Sequence, residues 1–179
     1  SQDKIKLELN FNKRMKRYGL RYNLKTVGKY RTSNSIIELE LNDVLSKSIL
    51  VDLSIENNKK SIFDVKIGAD YSLNYTDFSV IKDLNREFIR QHYYTKFDYD
   101  ISKRFNINTQ FDYFLYSDNK FKSNQKIPFW NASASYAITK NKNGIFKLLL
   151  IDILDKNIDI ERKSNINYFE ETTNQMLGR

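Results

Sequence analysis

The chain has 179 residues, a formal net charge of +8 and no cysteine. The missing cysteines exclude a disulfide framework and any thiolate metal site, and the scarcity of Pro and Gly (1 and 5) beside 12 Tyr and 12 Phe points to pleated, half-buried surfaces. The basic residues are scattered among Asp, Glu and Asn, and only Lys13–Arg17 forms a tight cluster, so nucleic acid is not an expected partner.

Alternation of apolar and polar residues runs along almost the whole chain and predicts nine strands. The first sets Ile5, Leu7, Leu9 and Phe11 against Lys4, Lys6, Glu8 and Asn10. The second runs from Leu20 to Tyr30. A short third holds Ile37, Leu39 and Leu41, and a fourth Ile49, Val51, Leu53 and Ile55. Asn57–Lys60 is a turn. The fifth strand is long, with Phe63, Val65, Ile67, Ala69, Tyr71, Leu73 and Tyr75 on one face and Asp64, Lys66, Gly68, Asp70, Ser72 and Asn74 on the other. Strands six and seven lie on either side of Ser102–Arg104, within Phe97–Tyr113. The eighth runs from Trp130 to Ile138, and Lys140–Gly144 turns it into a ninth, Ile145–Leu154. Ser79–Gln91, Tyr116–Lys126 and Asp155–Arg179 read as longer polar loops, with a helical turn or two as the alternative for Phe78–Gln91.

Short turns alternating with long loops suit an antiparallel transmembrane β-barrel of the outer-membrane type. Volume favours the same orientation. An interior of about eight strands is just wide enough for its own side chains, and roughly forty large apolar residues are too many for it. They fit better outside, facing lipid, as expected for Val65, Ile67, Leu73, Phe97, Ile107, Phe111 and Ala134. Tyr30, Tyr75, Tyr99, Tyr113, Trp130 and Tyr136 suit interfacial girdles. Lys66, Asp70, Asn74, Asp98, Asp100, Asn106, Asn108, Gln110, Asp112 and Asn131 would then line a wet lumen. There they are candidates for substrate contact. A mean hydropathy of −0.63 is compatible, because such strands spend half their residues on the lumen.

From about Phe63 to Arg179 the chain resembles the C-terminal part of the Bacteroidota outer-membrane β-barrel family, whose members are TonB-dependent-receptor-like. The segments that carry the resemblance are Phe63–Gly68, Tyr99–Phe105, Phe129–Tyr136, Asn141–Gly144 with Asp152–Asn157, Asn167–Thr172 and Leu177–Arg179. The resemblance implies uptake of a nutrient across the outer membrane, with outer-membrane lipid and a TonB-type energy-coupling protein as partners. It also implies a final aromatic strand, a plug and a signal peptide, which residues 1–179 are not expected to include. Residues 1–179 therefore read as one barrel segment whose edges pair with further strands or subunits. A shorter barrel of roughly ten strands is the alternative. A non-transporting scaffold barrel and a soluble lipid carrier are rival functions.

Little in the sequence suggests catalysis. His92, the single histidine, falls in a predicted loop without a nucleophile beside it. Glu170–Glu171 and Asp152/Asp155 are carboxylate pairs at a loop and a strand end, where solvation or capping explains them. No phosphate-binding glycine loop or His/Cys cluster appears, so no enzyme activity, cofactor or metal is expected.

Overall fold

The computed structural model describes residues 3–37, 39–57, 62–119, 125–139, 144–156, 158–164 and 169–175. Eight strands form one antiparallel sheet in chain order: β1 (Asp3–Met15), β2 (Leu20–Ile37), β3 (Glu40–Asn57), β4 (Phe63–Phe78), β5 (Arg86–Asp100), β6 (Phe105–Asp118), β7 (Gln125–Ala137) and β8 (Ile145–Leu150). A separate hairpin pairs β9 (Ile158–Ser164) with β10 (Phe169–Gln175). The eight-stranded sheet is open: β1 and β8 are its edges and do not pair with each other. Among the described residues no helix is long and apolar enough to cross a membrane, which leaves crossing by strands untouched.

The alternation sets the register. Ile67 stands opposite Ile55 and Thr95, and Phe111 opposite Thr95 and Trp130, so one face is continuous from strand to strand. On the other face Asp70 meets Asp52 and His92, and Gln110 meets Lys96 and Asn131. A slip of one residue in any strand would exchange its two faces.

Burial is inverted relative to an ordinary single-layer sheet. Among the described strand residues the buried ones are Val27, Ser33, Asn42, Val44, Ser54, Phe78, Arg86, Asp112, Asp118, Ile127 and Ala137. The pairing puts every one of them on the polar face. The apolar face is open: Leu7, Leu9, Phe11, Leu53, Ile67, Phe111 and Leu148 are all exposed. A lone sheet covers a face only where it curls toward it or where a loop folds over it. Both occur here. A cavity lined from all of β1 to β5 marks the curl. The 79–85 loop, with a single 3₁₀ turn at Lys82–Leu84, covers one end, where the fully buried Asn42 accepts from the Val80 N–H at 2.9 Å.

Several sequence expectations need correction. Ile37–Leu41 is not a strand of its own: Ile37 ends β2 and Glu40 and Leu41 begin β3, on either side of the connection between them, and the two strands pair along their full 18 residues. Thr32–Ser35, although polar throughout, stays in the ladder, and Asn34 Nδ2 donates across it to Asp43 Oδ1 at 2.8 Å. Leu39 takes a φ of 67° in that connection. The predicted loop from Ser79 to Gln91 shrinks, because β5 begins at Arg86. Its outward positions Glu87 and Gln91 are polar, which hid the alternation. The last strand of the sheet stops at Leu150, not Leu154, and nine predicted strands become eight plus a hairpin. That hairpin occupies part of the predicted 155–179 loop. Most of the predicted turns at 57–60 and 140–144, and residues 120–124 of the predicted 116–126 loop, lie outside the described residues.

Candidate functional site on the polar face

Neighbouring strands place side chains about 5 Å apart on one face, so a row of opposed polar residues becomes a network across the sheet. The densest network centres on His92 in the middle of β5. Its Nδ1 faces Asp70 Oδ2 on β4 at 2.7 Å, and its Nε2 faces Asp112 Oδ1 on β6 at 2.8 Å. Both contacts are satisfied together when the ring carries both protons. Arg90 Nη2 donates to Asp70 Oδ1 at 2.8 Å, and Gln110 Nε2 donates to Asp112 Oδ2 at 2.7 Å. The His92 ring stacks on Phe114, its direct neighbour across the ladder, with centroids 4.2 Å apart and planes 4° from parallel. Each carboxylate oxygen of Asp70 and Asp112 thus meets a donor on an adjacent strand or neighbouring position. No imidazole nitrogen is left over to take a proton from a substrate.

Tyr94 extends the network. Its ring lies over Gly68, where an added Cβ would overlap it, and its hydroxyl reaches beyond β4 to Asp52 Oδ1 on β3 at 3.4 Å. Lys66 Nζ sits 5.7 Å from the centre of the same ring. Gly68 is needed here for clearance: any side chain would displace the tyrosine.

Toward the turn between β5 and β6 the face becomes acidic. Asn106 Nδ2 donates to Asp98 Oδ1 at 2.7 Å and to Asp100 Oδ1 at 3.0 Å, and Asn108 Nδ2 donates to Asp98 Oδ2 at 3.1 Å. Toward the opposite end it becomes basic. A cavity of about 430 Å³ opens there, with Lys4 from β1, Lys29 and Arg31 from β2 and Arg86 from β5 in its wall, and no carboxylate. Arg86 forms a buried ion pair with Asp118. A second cavity of about 240 Å³ adjoins the first and shares Lys29, Ser48, Asn74 and Phe88 with it; Arg90 lines it too. Glu8, on the polar face of β1, is met by Lys6 at 2.7 Å and Lys25 at 3.4 Å.

No family model, no curated protein and no solved structure matches this chain. The site is therefore read from its own geometry.

All ten residues expected to line a lumen lie on this polar face: Lys66, Asp70 and Asn74 on β4, Asp98 and Asp100 on β5, Asn106, Asn108, Gln110 and Asp112 on β6, and Asn131 on β7. The seven apolar positions from Val65 to Ala134 lie on the opposite one. The sheet brings Asp70, Gln110 and Asp112 together around His92, and groups Asp98, Asp100, Asn106 and Asn108 at the acidic end. Asn131 stands apart and accepts the backbone N–H of Asp152 at 2.8 Å. Asp112 was expected to touch water; it is only 7 % exposed, because His92 and Gln110 close over it. His92 was expected in a loop and is the hub of the network. The basic cavity was not foreseen. Its residues come from positions far apart in sequence, and only the pairing of Lys4 with Arg31 and of Lys29 with Ser48 shows that they share a wall. Among the described residues no cluster of three or more His, Cys, Asp or Glu could hold a metal ion.

Proposed function

We propose that this chain is a segment of an outer-membrane β-barrel whose apolar face meets lipid and whose polar face lines a wet lumen. The single observation that carries the reading is the inverted burial. A sheet that covers its polar face and opens its apolar one is stable only where the apolar face meets something other than water. The dimensions agree. On β4 the outward positions from Phe63 to Tyr75 carry no charge. At about 3.4 Å per residue and a tilt near 45°, that stretch is roughly 30 Å tall, close to an apolar band. At its ends Phe63 pairs with Tyr99, and Tyr75 with Lys47, which in turn pairs with Tyr30. Such aromatic rows suit the two interfaces. The open edges β1 and β8 then pair with further strands or with a second subunit, since lipid satisfies no backbone group.

In function the segment serves TonB-dependent-type uptake of a nutrient across the bacterial outer membrane. This follows from the family resemblance of its last two thirds, and the curled polar wall with its cavities is compatible with a solute path. The chain has no cysteine, so single cysteines report cleanly. Spin labels at Ile67 and Phe111 in proteoliposomes should be accessible to oxygen and shielded from a water-soluble nickel chelate, with the reverse at Asn108. Equal chelate access at all three would remove the lipid-facing assignment. For uptake, cells expressing the intact protein should lose solute accumulation when an ionophore collapses the proton gradient. Accumulation indifferent to the gene would favour the scaffold reading.

A further inference from the structure

We infer that His92 is a pH-operated latch on the polar face. With both ring nitrogens protonated it ties β4 to β6 across β5; on losing one proton to water it keeps Asp112 and releases Asp70. The ring geometry carries the first half. Nδ1 and Nε2 face carboxylate oxygens on opposite sides, at 2.7 and 2.8 Å. A carboxylate only accepts, so each contact needs its own N–H, and a neutral imidazole has one to give. Loss of a proton therefore sets a ring lone pair against an oxygen at contact distance, and one of the two contacts opens. The chain isolates the event. It has a single His and no Cys, so no other side chain ordinarily titrates between about pH 5 and 8.

Which contact opens follows from the other partners of the two carboxylates. Asp70 has a cation beside it and a donor in reserve. Arg90 Nη2 already holds its Oδ1 at 2.8 Å, and Arg90 Nε is buried with no hydrogen-bond partner. A small turn of the Asp70 carboxyl lets the guanidinium take both oxygens in a fork. Asp112 has no such reserve. It is buried, and its second oxygen is met by the neutral Gln110 amide at 2.7 Å. Leaving Asp112 short of a donor costs more than leaving Asp70 short of one, so the single N–H of the neutral ring belongs on Nε2. The other titratable groups near the ring are Tyr94, with centroids 5.2 Å apart, and beyond it Lys66 and Asp52; Asp52 also stands opposite Asp70. Tyr, Lys and Asp side chains ordinarily titrate outside the histidine interval. β6 adds the Phe114 stack and β7 adds Phe129 opposite Asp112, both uncharged. The latch needs only the strand pairing and a wet polar face. It can fail while the lipid-facing labels succeed, and the reverse.

The test is NMR of the intact protein in neutral detergent micelles, with isotope-labelled imidazole nitrogens, beside urea unfolding over the same pH series. Both ring nitrogens should be protonated on the acid side of the His92 titration, and the ring should be the Nε2–H tautomer beyond it. The Asp70 contact is present on the acid side and lost as pH rises through the titration. The unfolding constant should therefore rise about fivefold across it, the worth of one hydrogen bond. His92→Gln should reduce that rise to less than about twofold, as for a site with nothing to titrate. Asp112→Asn should turn the neutral ring to Nδ1–H, whose proton is then needed at Asp70; a side chain that only fills space has no tautomer to invert. An equal rise in His92→Gln would overturn the latch. If the variants fail to fold, the unaltered protein decides. An unfolding constant that stays flat through the titration overturns the latch, and a neutral ring found as Nδ1–H overturns the release of Asp70.

Discussion

The polar face contains two kinds of charged region, and they differ in which charges line them. Around His92 every charge has a counterpart on a neighbouring strand, and Asp112 is buried beneath it. Around Lys29 and Arg31 the cavity wall is cationic and lacks any carboxylate. The first arrangement links β4, β5 and β6 in register and has little capacity left for a visitor. The second encloses a cavity of about 430 Å³, and its wall includes Arg86 of the buried Arg86–Asp118 ion pair.

The contrast is sharpest at His92. Removing the ring leaves Asp70 and Asp112, both largely buried, without their common partner. His92→Ala should lower stability by about 3 kcal/mol, the order seen when one member of a buried ion pair is deleted. Urea unfolding in micelles reads this. Lys29→Gln, by contrast, should shift the midpoint by less than about 0.5 kcal/mol, as expected of a surface substitution. Equal losses in the two would dissolve the distinction.

A similar size of effect separates the two faces. Ile67→Arg places a charge in the middle of the apolar face and should cost roughly 2–4 kcal/mol in a lipid-refolding assay. The same change in a water-facing site would cost far less, so the assay tests the environment as well as the residue. Gly68→Ala comes next. The new methyl must displace the Tyr94 ring, at a cost of roughly 1–3 kcal/mol. Combining it with Tyr94→Ser should recover part of that loss, which a generic strand defect would not. The smallest effect runs the other way. Leu39 is 98 % exposed and holds a left-handed φ of 67°. Leu39→Gly should raise stability by about 0.5–1 kcal/mol, seen as a higher thermal midpoint.

Much of this architecture was legible in the residues themselves. Strand-by-strand alternation is a local property, and where it was clean, as in Phe63–Tyr75 or Phe105–Tyr113, sequence placed both the strand and its two faces. It failed where position along the strand outweighs period. Glu87 and Gln91 point outward near an end of the sheet, where polar groups are tolerated, so β5 was begun too late and His92 was left outside it. The His92 bridge and the cationic cavity depend on register between strands, which no single segment encodes. Lys29 and Asn74, which share the cavity wall, are 45 positions apart in sequence.

The order of the strands carries one more consequence. Each strand of the sheet pairs only with the strands before and after it in the chain. At about 4.8 Å between strands, the eight span an arc of roughly 34 Å. Gain or loss of one hairpin alters that arc by about 10 Å and leaves every other pairing intact. The width of the sheet is therefore a modular quantity in this chain. Duplication or deletion of a hairpin can widen or narrow the sheet while the pairing of the remaining strands persists unchanged.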